Sequence, residues 1–262
     1  MLTREEIHAS LREMGIQPDD TVLMHTSMRA IGEVEGGCDG LIDAFCAYLH
    51  DGLYLIPTHT WANVGEENPC FDVRQTPPCI GALPCVAARR ADGVRSLHPT
   101  HSMTAFGKEA AAFVAGEEQA TSPCPAHGCW ARLAEVGAKI LLVGVGLNRN
   151  TFIHAIDEML DLPNRLAPPI DLTVIDYAGK AHSLSFCKHG DHTGSENFGN
   201  YEAALRHMGA LTDGRLGNAH VLCCDAARAT AAICHLWQQA DYDLCATPGE
   251  IPPAYYEDYI AP

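Results

Sequence analysis

Apolar and polar positions along this chain switch repeatedly between a helical and a strand period. Thr3-Arg4-Glu5-Glu6 reads as a capping box, Ile7, Leu11 and Met14 follow at helical spacing, and Gly15 ends the helix. Thr21 to His25 is a short apolar run of the buried-strand type, and Thr26-Ser27 opens a polar turn. After Gly36-Gly37, a helix begins at Cys38 or Asp39 and runs through Leu41, Ile42, Phe45 and Leu49. Leu53 to Ile56 forms a second strand that ends at Pro57-Thr58-His59-Thr60-Trp61. Residues 62–79 carry glycine, asparagine and three prolines with few apolar positions, which predicts a long functional loop. Helices are expected over Gly81–Arg90, Trp130–Val136, Thr151–Leu160, Tyr201–Met208 and Ala226–Gln239. Lys139–Val145 is the clearest strand. Pro163, Pro168 and Pro169 mark a boundary, strands follow over 170–187, and another lies near His220–Cys223.

Strands alternating with helices indicate an α/β protein with a layered sheet. Polar clusters follow three of the apolar strands: His25-Thr26-Ser27, Pro57-Thr58-His59-Thr60 and Gly144-Val145-Gly146. Ligands in open α/β sheets bind beyond the carboxyl ends of the strands, so these clusters are expected to meet in one cleft. Gly144-Val145-Gly146 lacks the third glycine of a dinucleotide fingerprint and reads as a tight turn.

Two segments carry more chemistry than connections need. Arg95-Ser-Leu-His-Pro-Thr-His-Ser102 contains two imidazoles three positions apart, and Asn150-Thr-Phe-Ile-His154 leads into a helix. Asp157 and Glu158 stand three and four residues after His154, on the imidazole's own face. A carboxylate bonded to one ring nitrogen fixes the tautomer and makes the other nitrogen a better base. The same spacing also fits an ordinary solvated helix face. His98, held extended by Pro99, is expected to be structural. His101 is either a contact in the site or a turn histidine bonded to backbone. His59 and Trp61 either line a channel or pack the loop after their strand.

Composition narrows the function. The 262 residues suffice for one large core, with or without a small appended lobe. Apolar residues make up 47%, yet no apolar run is long enough to span a bilayer. The start, MLTREEIHAS, has no signal-peptide character, so a cytoplasmic enzyme is expected. A net charge of −16 argues against nucleic-acid and anionic-membrane partners. It suits a cationic small molecule, and it equally suits plain solubility. The 12 cysteines include no C-x-x-C pair and are expected to be thiols, mostly small core residues.

Taken in order, H25-T-S-M-R-A-I-G32, G36-G37, P57-T-H-T60, R95-S-L-H-P-T-H-S102, W130-A-R-L133, L141-L-V-G-V-G146 and N150-T-F-I-H154 resemble the aminoglycoside 3-N-acetyltransferase family, the antibiotic N-acetyltransferase group. The resemblance spans most of residues 1–165 and thins afterwards. It implies an α/β/α sandwich over residues 1–262 as one domain, with a small β-containing, substrate-facing lobe near 165–200. It implies acetyl transfer from acetyl-coenzyme A to an amine of an aminoglycoside or related amino sugar, without a metal. Carried onto this chain, the catalytic histidine falls on His154, with Asp157 or Glu158 as its acid and His101 as a partner. Coenzyme contacts fall on His25, Thr26, Ser27, Arg29 and Gly32, with Thr100 and Ser102 from the histidine run. His59, Trp61 and Asp191 are the substrate-side candidates, and a homodimer is a further expectation. The chain departs from the family at Gly81-Ala-Leu-Pro-Cys85 and at Pro125-Ala-His-Gly-Cys-Trp130, both on the substrate-facing side, which admits a non-aminoglycoside amine.

Two other classes stay open. Cys187-Lys-His-Gly-Asp-His192 packs thiol, imidazole and carboxylate together, as a metal hydrolase would, but no second ligand pair is evident. A non-catalytic protein that binds coenzyme A or sequesters a drug would keep the Thr26-Ser27 turn without needing a base.

Overall fold

The computed structural model describes residues 1–190 and 194–260. Its strands are β1 (Thr21–Thr26), β2 (Leu53–Pro57), β3 (Cys70–Asp72), β4 (Val94–Arg95), β5 (Met103–Phe106), β6 (Lys139–Val143), β7 (Leu166–Ile175), β8 (Ala181–His189), β9 (Leu211–Leu216) and β10 (Ala219–Asp225). Its helices are α1 (Arg4–Glu13), α2 (Met28–Ile31), α3 (Gly37–Tyr48), α4 (Ala82–Ala87), α5 (Ala110–Phe113), α6 (Cys129–Glu135), α7 (Phe152–Met159), α8 (Glu202–His207) and α9 (Ala226–Gln239). The capping box at Thr3 is present: its hydroxyl accepts from Glu6 N–H, and the Glu6 carboxylate accepts from Thr3 N–H.

The main sheet has seven strands in the order β4-β5-β2-β1-β6-β10-β9. β1 lies at its centre and runs parallel to β2 and β6, while β10 and β5 are antiparallel to their neighbours. Both faces of the central strands are covered, which is why they read as continuous apolar runs. Leu23, Leu55, Ile140 and Leu142 face the layer that holds α6, α7 and α9. Val22, Met24, Ile56, Leu141 and Val143 face α1, α3 and α4. The expected α/β/α sandwich is therefore the observed architecture.

A second sheet of three strands, in the order β3-β7-β8, forms the expected β lobe. Its own core is Val64, Phe71, Val73, Leu172, Val174 and Phe186. Two expectations change here. The long loop over 62–79 contains β3, which pairs parallel with β7 through Cys70–Thr173, Phe71–Val174 and Asp72–Ile175. The prolines at 168 and 169 do not end an element: they lie inside β7, where the register with β8 shifts between Leu166 and Pro169 and a missing N–H is tolerated. β9, which no apolar run announces, is the outer strand of the main sheet.

Chain direction places the ends of β1, β2 and β6 on one side of the sheet. Gly144 makes the turn after β6 at φ 65°, and a Cβ there would meet Ala30 Cβ at 2.3 Å.

Candidate active site

The three polar clusters do converge. Beyond the strand ends lies a cavity of about 620 Å³, whose walls include His25, Thr26, Pro57, His59, Val145, Asn150, Thr151 and His154. His101 and His189 complete them, so His25, His59, His101, His154 and His189 face one space. The His154 ring lies 4.2 Å from His189 and 4.9 Å from Phe198, centroid to centroid. His101 lies 4.9 Å from His189 and 4.7 Å from His59.

The reason for this clustering is local. α7 follows β6 after the Gly144 turn and a short 3-10 turn at Leu147–Arg149, and its first turn carries His154 into the cavity wall. His154 is 8% exposed and Asp157 1%, with Nδ1 and Oδ2 3.8 Å apart. Burial pushes the His154 imidazole down to about 3 and pushes the Asp157 carboxyl up to about 7. The Arg165 guanidinium stands 3.5 Å from the same Asp157 oxygen and opposes that upward push. Burial likewise holds His25 near 3 and His189 near 2, and keeps His59 and His101 well below their usual range.

Behind this wall the 95–102 turn is fully bonded. His98 Nδ1 accepts from the N–H groups of Thr100 and His101. Its other nitrogen must then carry the proton, and it donates to the Ser122 carbonyl at 2.9 Å. Arg95 donates to the carbonyls of Val73, Thr76 and Thr58 and to Ser102 Oγ, with its charge 5.0 Å above the Phe71 ring. Ser102 Oγ donates to Thr58 O, and Thr100 Oγ1 shares a hydrogen bond with His101 Nδ1. The Trp130 indole donates to the His101 carbonyl. His98 is thus the structural histidine of the pair.

A second groove of about 550 Å³ adjoins the cavity and shares Trp61 and His189 with it. It runs between the 61–68 loop and β7–β8 and is lined by Asn63, Glu66, Glu67, Asn68 and Lys188. Trp61 is 46% exposed at the junction.

A family model for aminoglycoside 3-N-acetyltransferases matches residues 23–238. The chain belongs to the aminoglycoside 3-N-acetyltransferase family. Among curated relatives, aminoglycoside N(3)-acetyltransferase VII of Streptomyces paromomycinus is 29% identical over 63% of this chain and 63% of its own length. The type III enzyme of Serratia marcescens is 28% identical over 69% of this chain and 73% of its own length. Among solved structures, a mutant of aminoglycoside acetyltransferase AAC(3)-IVa in complex with a gentamicin is 25% identical, covers 93% of this chain and 95% of that chain, and superposes with a TM-score of 0.76. The fold is also that of AAC-IIIb in its binary complex with CoASH, at 21% identity, covering 90% of this chain and 97% of that chain, with a TM-score of 0.77.

Within this family member, the residues singled out in the sequence divide into two groups. His25, Thr26, His59, Trp61, His101 and His154 line the cavity, with Asp157 directly behind. The rest do other work. Glu158 turns away from the imidazole and accepts from Ser122 Oγ and Cys124 N–H, so it anchors the 122–124 loop and is not a second orienting acid. Thr100 and Ser102 are held in the bonded layer and are not among the residues lining the cavity. Ser27 caps α2 by accepting from Ala30 N–H, its own N–H donates to Val143 O, and it is not among the residues lining the cavity. Arg29 is exposed on α2, and Gly32 packs against Asn218, both apart from the cavity lining. Asp191, like His192, lies outside the described residues. Among the described residues no three His, Cys, Asp or Glu side chains converge on a metal position, and no helix is long and apolar enough to cross a membrane.

Three further residues line the cavity. His189 sits in the Cys187–His192 run whose residue types suggest metal ligands, but it is the last residue of β8, the position from which strands present side chains to a site. Asn150 and Arg149 also line the cavity. The asparagine belonged to the motif ending at His154, whereas nothing local marked the arginine.

Proposed function

We propose that this chain transfers an acetyl group from acetyl-coenzyme A to an amine of an aminoglycoside or related amino sugar, with His154 as general base. The observation that carries this reading is the pairing of a neutral, cavity-lining imidazole with a buried acid on its far nitrogen. Because Nδ1 faces Asp157, Nε2 is the nitrogen left for the acceptor. As the neutral amine attacks the thioester carbonyl, its proton passes to Nε2, and the thiolate of coenzyme A leaves. Burial keeps the imidazole unprotonated and ready. It also makes the imidazolium costly, and an ionised Asp157 offsets that cost.

The walls suit the two substrates. Four residues of the cavity wall carry a buried polar atom without a partner, His25 Nε2, Thr26 Oγ1, His59 Nε2 and Asn150 Oδ1, and small side-chain shifts on binding would let a polar ligand supply the missing bonds. Thr26 Oγ1, a hydroxyl of the cavity wall without a partner in the structure, suits the developing oxyanion. Arg149 supplies a cation at the cavity wall for the coenzyme's phosphates. Glu66 and Glu67 in the adjoining groove suit the ammonium groups of an amino sugar.

The test is thiol release from acetyl-coenzyme A across a panel of aminoglycosides, amino sugars and simple amines. Turnover with a polyamine acceptor is expected. His154→Ala should lower kcat on the order of a thousandfold while coenzyme binding, followed by calorimetry, stays within about twofold of the parent. Silence across the whole panel, with coenzyme still bound, would instead indicate a binding protein.

A further inference from the structure

Asp157 is the most enclosed acid of the site, and neither of its carboxylate oxygens has a hydrogen bond in the structure. A buried carboxylate cannot be left to itself, so its surroundings decide how it stands against the imidazole. Those surroundings come from distant parts of the chain. Arg165, just before β7, sets its Nε edge 3.5 Å from Asp157 Oδ2. Its two terminal nitrogens are gripped by Asp243 at 2.8 and 2.9 Å. That fork fixes the guanidinium plane, because a bidentate pair has one good geometry. Asp243 is itself held: its Oδ1 accepts from Cys245 N–H at 2.8 Å. A chain of contacts therefore runs from the segment after α9, through Arg165 and Asp157, to His154 Nδ1.

We propose that Arg165 and Asp243 are positioning residues for the general base: Asp243 fixes the Arg165 guanidinium, and Arg165 fixes Asp157 against His154. This rests on the reading of His154 as the base. An ion pair serving only to tie the C-terminal segment to the body would need Arg165 and Asp243 alone. Here the guanidinium's remaining edge is turned onto the acid that faces the imidazole. The consequence is electrostatic as well as steric, since the Arg165 charge favours ionised Asp157 and the Asp243 charge opposes it. Other titratable groups border the chain. Tyr201, Cys245, Cys124 and Glu158 lie near Asp157, and Glu196, His189 and His101 lie near His154 or its neighbours. None of these grips the guanidinium as Asp243 does.

The two residues should act in opposite directions on pH. Carbon-13 titration of the Asp157 carboxyl in the folded protein, alongside kcat/KM against pH with acetyl-coenzyme A and the best acceptor, reads this out. Arg165→Met should raise the Asp157 midpoint, and move the acidic limb of the profile to higher pH, by about one unit. Asp243→Asn should move both toward lower pH. Arg165→Lys keeps the charge but loses the fork. It should fold and bind acetyl-coenzyme A with unchanged KM, while kcat falls about tenfold, the scale expected when an orienting partner is lost. Midpoints unmoved in both charge variants, or a parental kcat in Arg165→Lys, overturn the proposal. His154→Gln separates the two levels. Turnover surviving in that variant sinks the base itself, whereas a dead His154→Gln with unshifted Arg165 and Asp243 variants sinks only the positioning pair.

Discussion

Two polar layers lie back to back at the end of the central strands, and they differ in one respect. In the rear layer Arg95, His98 and Ser102 have their polar groups bonded to neighbouring backbone and side chains. In the front layer His25, His59 and Asn150 are buried and Thr26 and His189 half-buried, yet each keeps a buried polar atom with no partner in the structure. Residue type does not separate the layers, since both contain histidine and hydroxyl side chains. Bonding does. A satisfied buried group holds the fold together, whereas a row of unsatisfied ones around a cavity is a surface prepared for something else.

The largest expected effect draws on both layers. His25, His59, His98, His101, His154 and His189 are all held below the ordinary imidazole range by burial. The unfolded chain therefore takes up protons below about pH 6.5 that the fold refuses, and stability falls as pH falls. Asp157, raised to about 7, and Glu158, also raised by burial, work in the opposite sense. Urea midpoints measured between pH 7 and 5 should drop steeply. A flat profile would show that these histidines are not held neutral.

Smaller tests separate the layers. Arg95→Met leaves three carbonyls and Ser102 without their donor and should cost about 3 kcal/mol of stability. The kcat of the fraction that remains folded should change little. Thr26→Val removes a hydroxyl that bonds nothing in the structure, so thermal stability should shift by less than about 0.5 kcal/mol. Turnover should nonetheless fall by about tenfold, as an oxyanion donor is lost. If Thr26→Val melted the fold and Arg95→Met did not, the distinction between the layers would fail.

The sequence disclosed the central sheet well, because strands buried on both faces are apolar without interruption. It disclosed His154 with Asp157, because three residues along a helix bring side chains together. The same rule misled at Glu158: spacing places a residue on a face, but the N–H of Cys124, thirty-four positions away, drew its carboxylate elsewhere. Ser102 shows the same limit, since the Thr58 carbonyl that takes its hydroxyl lies forty-four positions away. β9 was missed because only Leu211 and Leu216, its two ends, are buried. β3 was missed because a three-residue strand between prolines has no period to detect.

That short strand has a mechanical consequence. Through it, the loop bearing Trp61 and the strand ending in His189 belong to one small sheet packed about Phe71 and Phe186. The rim that meets the acceptor and the ring that leans on the base must then shift as one body. Changes at the far hairpin tip, residues 176–180, should leave the pocket's shape alone, whereas loosening Phe71 would slacken rim and base together.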